Sequence, residues 1–494
     1  MRERAATKQP DLKGLDAMEG VAGVVKKCRR RFVHYFSISV VVCMLLYARR
    51  VFVLVPGGVD LVARERLHAG GNAGDAGLVV LDNQVGSPCA AMANNTICCD
   101  RSDPKAEVCF MAGDVRTDYA ASQSLLLFPP ASGVAAEEER VRPYPNMWGR
   151  WLVKRIHEVR LRVSRPEEAA ARRRCDVRHD APALVMSAGG YSYNFFHAFT
   201  DGLLPAWVTA QHLRRRVVLA VLAYNPTWAG TFGDVIGGLS DYHVVDLLND
   251  KRMHCFPGAI VGPRSHGILT VDPARLRDNK TIVDFHHFLA GVFGTAEKPP
   301  ETRRRRRPRL GIVSRKGTRV IENQAAVARL AAAVGFEVDV LETANGMPLP
   351  AVYAAVSACD ALVGVHGADM TRLLFLRPGR AALAQVVPLG VAAIARGCFG
   401  APAARMGLRY EAYEVGVPES SLSRRYAADD AVVADPERAK REKGWNIADV
   451  VRVYLTGQNV SLDLGRFRET LVRLHSHAML QRRREERSGA TVIA

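Results

Sequence analysis

RLGIVSRKGTR (residues 309–319) and ALVGVHGAD (residues 361–369) are two apolar runs that end in polar turns. Helix-patterned segments separate them from each other and from two further apolar runs, FEVDVLE (336–342) and AALAQVVP (381–388). This periodicity predicts consecutive βαβ units with a parallel sheet. Ligands of such sheets lie beyond the carboxyl ends of the strands, so we expect both polar turns to line one cleft.

The residue types in these turns suit a nucleoside diphosphate. The first turn offers a hydroxyl and cationic side chains to phosphate oxygens, and the second offers a glycine that lets backbone approach an anion closely. A helix after the second turn would direct unpaired N–H groups and a positive dipole end at the ligand. We therefore predict diphosphate-binding roles for Ser314, Arg315, Lys316, Arg319, His366, Gly367, Ala368 and Asp369.

Two plainer interpretations of these turns stay open. The first turn could be a solvated basic turn, and the second could be a tight strand-to-helix connection with Asp369 as its N-cap. Neither a Walker A sequence nor GxGxxG follows a strand here, which disfavours a P-loop NTPase and a standard dinucleotide dehydrogenase.

Composition narrows the class of protein. The chain has 494 residues with 48% apolar content, enough for two or three domains. Its net charge of +18 and its arginine runs would suit nucleic acid, an anionic membrane surface or an acidic polymer. No aromatic interleaving or known nucleic-acid module accompanies these runs, so we expect no nucleic-acid partner.

The N-terminal region predicts a membrane anchor. Residues 32–48 are almost wholly apolar, basic residues precede them, and residues 51–55 could extend the span. The positive cluster before the run places a basic tail, residues 1–31, in the cytosol. We favour an uncleaved signal-anchor at residues 32–55 over a cleavable signal peptide, because the basic region is long and no clear cleavage site follows.

Other features agree with a lumenal body. Sequons at Asn94, Asn279 and Asn459 predict glycosylation, and eight of the ten cysteines follow the apolar run. Their pairing cannot be deduced from the sequence, and their spacing gives only weak support for a zinc site. A Gly- and Ala-rich stem at residues 56–88 would precede an α/β domain at 89–300 and a second at 308–480.

The segment GGYSYNFFHAFTDGLLP, residues 189–205, predicts a second part of the site. A glycine pair closes a strand, and the helix that follows places His197 and Asp201 four residues apart on one face. The carboxylate could fix the imidazole tautomer, so that the other ring nitrogen accepts a proton from a hydroxyl. We predict His197 as general base with Asp201 as its partner, or, alternatively, a pair that only ties the helix to a neighbouring loop.

The sequence resembles glycosyltransferase family 61. The resemblance rests on successive blocks in the correct order: CDRSDPKAEVCFMAGDVR (99–116), GGYSYNFFHAFTDGLLP (189–205), RPRLGIVSRKGTRVIENQ (307–324), LVGVHGADMTRLLFLRPG (362–379) and YLTGQNVSLDLGRFRETL (454–471). The last block most resembles the plant branch that adds arabinofuranosyl or xylosyl residues to xylan.

The resemblance implies a fold, a reaction and a location. The implied fold is α/β and GT-B-like, with two Rossmann-type domains, one acceptor-side and one nucleotide-sugar-side, facing a cleft. The implied protein is an inverting pentosyltransferase with a UDP-sugar donor, a xylan acceptor, no cofactor and no essential metal. It would be a single-pass type II Golgi membrane protein with a lumenal body, and complex partners in the Golgi are conceivable.

One departure from the family pattern concerns Asp369, which stands where a glycine is common. Its carboxylate could cap its own helix, or it could face the diphosphate and repel it. Three alternatives to the leading interpretation follow: a catalytically degenerate membrane-anchored partner in a polysaccharide synthase complex, a glycoprotein glycan xylosyltransferase, and a basic nucleic-acid-binding protein.

Overall fold

The computed structural model describes residues 81–118, 123–128, 138–145, 150–165, 174–294, 307–342 and 347–491. The predicted cytosolic tail, the anchor at residues 32–55 and the stem up to residue 80 lie outside these ranges. Within the ranges, no helix combines the length and the apolar character needed to cross a membrane. Residues 295–306, at the predicted domain boundary, also lie outside them, so that boundary stays a prediction.

A mixed ten-stranded sheet forms the first half. Its strands are β1 (Thr96–Asp100), β2 (Val108–Thr117), β3 (Ser124–Phe128), β4 (Glu138–Val141), β5 (Val159–Val163), β6 (Val177–Arg178), β7 (Ala183–Ser187), β8 (Val218–Leu222), β9 (Val245–Asp246) and β10 (His254–Val261). The order is β4-β5-β3-β2-β10-β7-β8-β9, with β1 beside β2 and β6 beside β10. The strands β10, β7, β8 and β9 form a continuous parallel block, and the short β6 pairs in parallel with β10. The Rossmann-type pattern predicted for this half therefore describes one side of the sheet, and antiparallel pairing of β2 with β10 joins the other side to it.

Three helices of the first half begin at polar caps. The helices of this half are α1 (Arg150–Val153), α2 (Phe195–His197), α3 (Leu204–Ala210), α4 (Pro226–Leu239) and α5 (Ile282–Val292), with 3₁₀ turns at Gln211–Leu213 and Pro273–Arg275. Asn194 and Asn225 accept backbone N–H bonds as N-caps, and Thr281 forms a capping box with Asp284. A π-helical segment, Ala198–Leu203, joins α2 to α3, so the long helix predicted here is present but locally widened.

The second half is the predicted βαβ series. The strands β11 (Arg309–Ser314), β12 (Glu337–Glu342), β13 (Ala361–Val365), β14 (Ala382–Val387) and β15 (Arg409–Glu414) form a parallel sheet of order β12-β11-β13-β14-β15. The connecting elements are α6 (Gln324–Val334), α7 (Leu349–Ser357) and a 3₁₀-helix, Ala368–Phe375. The prediction of a parallel sheet is confirmed for this half.

The C-terminal part covers the second sheet. It contains α8 (Ala392–Ala395), α9 (Ala401–Arg405), α10 (Ala431–Ala434), α11 (Pro436–Glu442), α12 (Ile447–Val450) and α13 (Leu464–Thr491), π segments at Arg396–Gly400 and Val451–Leu455, and 3₁₀ turns at Val417–Glu419 and Ser421–Arg424. Phe467, Leu471 and Leu474 of α13 are fully buried against the sheet. Arg482 reaches the carboxylate of Asp360 at 2.7 Å and ties the far end of this helix to the start of β13.

The two sheets share one apolar core, and the described residues belong to one compact unit. Phe199 of the first half packs against Phe375 of the second half with 6.1 Å between ring centroids. Tyr353 of α7 packs against Phe293, which follows α5, at 4.9 Å. Burying each such ring stabilises the fold by about 1.5–3 kcal/mol, so the candidate site at this contact rests on a packed interface.

Three disulfides join cysteines of the first half: Cys89–Cys98, Cys99–Cys109 and Cys175–Cys255. Cys359 and Cys398, in the second half, are free thiols. The folded body also includes residues 81–88, which the sequence analysis assigned to the stem. Asp82 is buried and pairs with Arg264 at 2.6 Å, which anchors this segment.

Candidate active site

The carboxyl ends of β11 and β13 lie side by side where the order of the second sheet reverses. From β11 the chain moves outward to β12 and then returns to the other side of β11 to form β13. Doubly wound sheets of this order bind ligands in the crevice at such a switch point. The two predicted turns follow these two strands, so the structure brings them together at this crevice.

Three guanidinium groups and one carboxylate meet between the turns. Arg315 and Arg372 both contact the carboxylate of Asp369, Arg372 at 2.5 Å. Arg319 donates from Nη1 to the carbonyl oxygen of His366 at 3.2 Å, and its buried Nε has no partner among the described residues. Burial, with Arg315 nearby, lowers the pKa of Arg319 to about 10, so this residue remains a cation at neutral pH. Two formal positive charges are left over, which matches a dianionic ligand.

Asp369 therefore has a role that differs from both predicted alternatives, which were a cap for its own helix and a group that repels the diphosphate. Asp369 lies in the first turn of a 3₁₀-helix that has Gly367 as N-cap and no side-chain cap bond. Its carboxylate is instead held between Arg315 and Arg372. Asp369 thus acts as a counter-ion that positions two arginines and offsets part of their charge.

Gly367 is packed directly against this cluster. A Cβ atom added there would lie 2.9 Å from Nη1 of Arg315 and 2.9 Å from Nη1 of Arg319. The backbone φ of +157° adds to the preference for glycine. A side chain at this position would displace guanidinium groups, so the glycine keeps the cationic cluster against the turn.

His366 is enclosed, with 4% of its surface exposed. Its Nδ1 pairs with Nε2 of Gln385 at 2.8 Å, and the hydroxyl of Tyr410 donates to Oε1 of Gln385 at 2.7 Å. This chain of bonds makes Nδ1 an acceptor and leaves the proton on Nε2. Burial, with Arg319 and Arg315 nearby, lowers the pKa of His366 to about 3, so the imidazole is neutral at pH 7 and offers one N–H donor.

We expect the neutral His366 to make the fold sensitive to acid. Its folded-state pKa lies below the unfolded value of 6.5, so the unfolded chain binds an extra proton between these limits. This stabilisation is complete above about pH 6.5 and decreases as the pH falls towards about 3, by up to about 1.4 kcal/mol per pH unit. The measurement is the free energy of unfolding against pH for wild type and His366→Asn, in which we expect a shallower slope.

An exposed histidine on α5 supplies the control for this measurement. His287→Asn replaces an exposed side chain, and we expect it to keep the wild-type slope. Equal slopes for wild type and His366→Asn would contradict the neutral buried state.

The remaining residues of the predicted turns are more open. The Lys316 side chain is 82% exposed, with Nζ 3.6 Å from Oε2 of Glu342, while Ser314 and Ala368 are half-buried. Lys316 can therefore follow a ligand by changing rotamer, whereas Arg315 and Arg319 are held in place.

A cavity of about 1220 Å³ opens over the carboxyl ends of β11 and β12. The second half contributes charged groups, Arg315, Lys316, Glu342, Asp369 and Arg372, together with apolar residues of α7. The first half contributes aromatic residues, including Tyr193, Phe195 and Trp228, and the buried Nε1 of Trp228 has no partner among the described residues. Pockets for drug-sized ligands measure about 300–1,000 Å³, so a nucleotide sugar can be accommodated.

His197 and Asp201 form the predicted pair. Nδ1 of His197 lies 2.6 Å from Oδ2 of Asp201, and the hydroxyl of Tyr144 donates to the same oxygen at 2.8 Å. Asp201 is 2% exposed, and the ring of Tyr191 stacks on the imidazole with centroids 4.6 Å apart. Burial, with Asp201 nearby, raises the pKa of Tyr144, so the phenol stays a donor. The arrangement holds the proton on Nδ1 and leaves Nε2 as an acceptor.

The His197 pair and the arginine cluster face one interface. The Phe196 ring contacts Phe399 at 5.5 Å, and Phe399 contacts His366 at 5.4 Å. The guanidinium carbon of Arg372 lies 5.4 Å from the ring centroid of Phe195. His197 and the arginine cluster are thus separated by a few side chains.

Three residues of this site were not predicted from the sequence to belong to it. Tyr144 lies 57 positions before Asp201 and has no local pattern that marks it. Arg372 lies within the block 362–379 but was assigned no role, and Trp228 lies on α4, outside every motif considered. Pairing between distant elements, rather than spacing along the chain, identifies them.

The glycosylation predictions fall on differing surfaces. Asn94 and Asn279 are exposed. Asn459 is half-buried, and its Oδ1 accepts a bond from the backbone N–H of Val320 at 3.1 Å. Within the described ranges, no group of three or more His, Cys, Asp or Glu side chains is placed to hold a metal ion. Glycan occupancy and metal independence both stay predictions.

Comparison with known proteins shows similarity to one glycosyltransferase family. The profile described as Glycosyltransferase 61 matches residues 195–383, which include the His197 pair and both turns. Over 409 residues the chain is 34% identical to xylan glycosyltransferase MUCI21 of Arabidopsis thaliana, covering 80% of this chain and 82% of that protein.

Two relatives from Oryza sativa subsp. japonica are equally similar. Beta-1,2-xylosyltransferase XYXT1 is 34% identical over 394 residues, covering 76% of this chain and 83% of its own. Alpha-1,3-arabinosyltransferase XAT3 is 34% identical over 384 residues, covering 76% of this chain and 64% of its own. From this similarity we conclude that the chain belongs to glycosyltransferase family 61, in the branch of the plant xylan-substituting enzymes.

Proposed function

We propose that this chain is an inverting glycosyltransferase of the Golgi membrane that transfers a pentose, arabinofuranose or xylose, from a UDP-sugar to xylan. Relatives named as xylan glycosyl-, xylosyl- and arabinosyltransferases support the acceptor and the class of sugar. The proposal includes a GT-B-like arrangement, in which the first half takes the acceptor and the second half takes the donor.

The observation that carries the proposal is the charge balance at the switch point. Arg315, Arg319 and Arg372 face one carboxylate, that of Asp369, and Arg319 is only partly satisfied by protein groups. Burying such an excess of charge is costly unless an anion completes the site. A diphosphate supplies two negative charges and several acceptor oxygens, so it fits this cluster.

The reaction follows from the two sets of residues. Nε2 of His197 accepts the proton of an acceptor hydroxyl, and that oxygen forms a bond to the anomeric carbon. The bond from this carbon to the diphosphate oxygen breaks, and its electron pair leaves with UDP. Attack from the face opposite UDP inverts the configuration. Arg315, Arg319 and the N–H groups at the start of the 3₁₀-helix stabilise the negative charge that develops on UDP. We expect no metal ion to be required.

The location is also proposed. The body would be lumenal and held by the anchor at residues 32–55 as a single-pass type II protein. Three disulfides suit an oxidising compartment, and exposed sequons at Asn94 and Asn279 suit glycosylation there.

Glu342 would recognise the ribose of the donor. It ends β12, the strand beside β11, where an acidic residue accepts ribose hydroxyls in related doubly wound sheets. Its carboxylate lines the cavity, and its side chain is 63% exposed. We expect wild type to bind 2′-deoxy-UDP about tenfold more weakly than UDP, and Glu342→Ala to lose this discrimination. Calorimetric titration with both nucleotides measures the ratio.

A carboxylate at the end of another strand is the matched control for Glu342. Glu414 ends β15, its side chain is 60% exposed, and it pairs with Arg396. We expect Glu414→Ala to retain the wild-type ratio. A Glu342→Ala variant that still discriminates by tenfold would assign ribose recognition to another residue.

UDP release by the purified full-length protein tests the proposed function. We expect release that depends on a xylo-oligosaccharide acceptor, occurs with UDP-arabinofuranose or UDP-xylose, and persists with a metal chelator. Release with a glycoprotein glycan as the only active acceptor would replace xylan with that substrate. Release that stops with the chelator would overturn metal independence alone.

A second candidate function rests on Asp369, because its carboxylate occupies part of the arginine cluster. If UDP neither bound nor was released, the chain would be a catalytically degenerate, membrane-anchored partner in a polysaccharide synthase complex. The folded state of the protein is checked in the same experiment by its thermal unfolding transition.

A further inference from the structure

A second cavity, of about 490 Å³, opens beside Asp201 and shares no lining residue with the cavity over β11 and β12. Thr200 and Asp201 form part of its wall, and Ile268 adds an apolar surface. Lys105 and Arg275 of the first half and Arg405 of α9 in the second half also line it. The cavity is thus built by both halves of the molecule, as expected of a substrate site between them.

Two of the arginines in this cavity wall, Arg275 and Arg405, form no ion pair with the described residues. Most described arginines pair with a carboxylate, but within the described ranges neither Arg275 nor Arg405 has one within 4 Å. Nη1 of Arg275 donates to the carbonyl oxygen of Ser265 at 3.4 Å. Of the two carboxylates in the wall, Asp103 accepts the backbone N–H of Lys105, and Asp201 accepts from Tyr144 and pairs with His197.

The histidine in the same wall does not change this balance. Nε2 of His266 pairs with Oε1 of Gln84 at 3.0 Å, and its Nδ1 accepts the backbone N–H of Asp272 at 3.0 Å. Burial, with Arg275 nearby, lowers the pKa of His266 to about 4, so it is neutral at pH 7. The guanidinium groups of Arg275 and Arg405 therefore face the cavity without a carboxylate partner in the described part of the chain. The group that their fork geometry fits is a carboxylate.

We infer that this cavity is an acceptor subsite for a sugar residue that bears a carboxylate, that is, a uronic acid on the xylan chain. The inference rests on the proposed function, since it assigns the acceptor to the side of His197. Asp201 links the cavity wall to Nδ1 of His197 across 2.6 Å, so a uronic acid held here places neighbouring sugars of the same chain near the base. Ile268, 37% exposed, offers the ring an apolar contact.

Two oligosaccharides of equal length test the subsite: one neutral xylo-oligosaccharide and one with a single glucuronic acid side group. We expect the full-length wild type to bind the acidic one more tightly in calorimetry without donor, and to use it with a lower KM. Arg275→Gln and Arg405→Gln should each reduce this preference about three- to tenfold, with unchanged UDP affinity and unchanged affinity for the neutral chain. The preference should also shrink with added salt.

Arg216→Gln is the matched control, because it removes one exposed positive charge that does not line the cavity. We expect it to keep the wild-type preference. Equal binding of both oligosaccharides to wild type, or equal losses for both in the variants, would overturn the subsite while leaving transferase activity intact. Failure of the proposed function would appear differently, as absence of UDP binding and of transfer to either acceptor. Arg405 is exposed and Arg275 is half-buried, and a thermal transition near the wild-type temperature is expected for each variant.

Discussion

Replacing His197 with alanine is expected to lower kcat about 100- to 10,000-fold, because a positioned general base contributes that much to a proton transfer. UDP affinity should stay within about twofold of wild type, since His197 is bonded to Asp201 and does not contact the arginine cluster. The measurement is steady-state UDP release at saturating donor, combined with calorimetric UDP binding. A loss confined to kcat identifies a group that acts on the acceptor.

Partners of His197 should give a graded series. Asp201→Asn keeps the shape but no longer holds the Nδ1 proton, so we expect a smaller but still large loss of kcat. Tyr144→Phe removes one donor to Asp201 and should cost least. His287→Ala, at an exposed position on α5, is the control and should retain wild-type activity. Activity of His197→Ala within tenfold of wild type would mean that another group is the base.

Replacing Arg319 with methionine is expected to lower kcat/KM about 100- to 1,000-fold, the usual effect of removing one pre-positioned group that stabilises developing charge. Arg319 is half-buried and retains a buried Nε without a partner in the described part of the chain. UDP affinity should fall as well, because the same group holds the diphosphate in the ground state. Kinetics and UDP calorimetry on the variant measure both effects.

The opposite effect on UDP affinity is expected when Asp369 is replaced. Asp369→Asn raises the formal charge of the cluster by one, so UDP should bind more tightly than in wild type. Arg396→Met removes an exposed arginine outside the cluster and is the control for both variants. Unchanged UDP affinity in both Arg319→Met and Asp369→Asn would place the diphosphate elsewhere.

The second sheet could be predicted from the sequence because its signals are local. β11 and β13 are buried runs rich in β-branched residues, and glycine or asparagine marks the turns that follow them. Parallel strands with short connections leave few alternative orders, so the meeting of the two turns followed from the strand pattern. The His197–Asp201 contact followed from a four-residue spacing that survives a change from α- to π-helical geometry.

The first sheet could not be predicted to the same extent. β2 pairs with β10 across more than 130 residues, and no local pattern specifies that pairing. The helical segment after β7 reads as one continuous amphipathic helix, while packing widens it into a π segment at Ala198–Leu203. Tyr144 reaches Asp201 only because the loop after β4 lies against that segment.

The position of Asp369 shows why charge is hard to assign from sequence. A carboxylate at the start of a helix has a ready cap role, and local reasoning favours it. The decisive interaction is with Arg315, 54 residues earlier, which only the neighbouring strands β11 and β13 bring near. Its effect on the ligand depends on that partner.

The uneven placement of the disulfides bears on how the protein can be produced. All three lie between residues 89 and 255, while the described cysteines of the second half, Cys359 and Cys398, are free thiols. A reducing bacterial cytoplasm would thus withhold covalent support from the half that carries His197 and leave the other half chemically unaltered. Because the halves share one core, loss of these disulfides would destabilise the whole molecule. Secretion into an oxidising host compartment is therefore the rational choice of expression route.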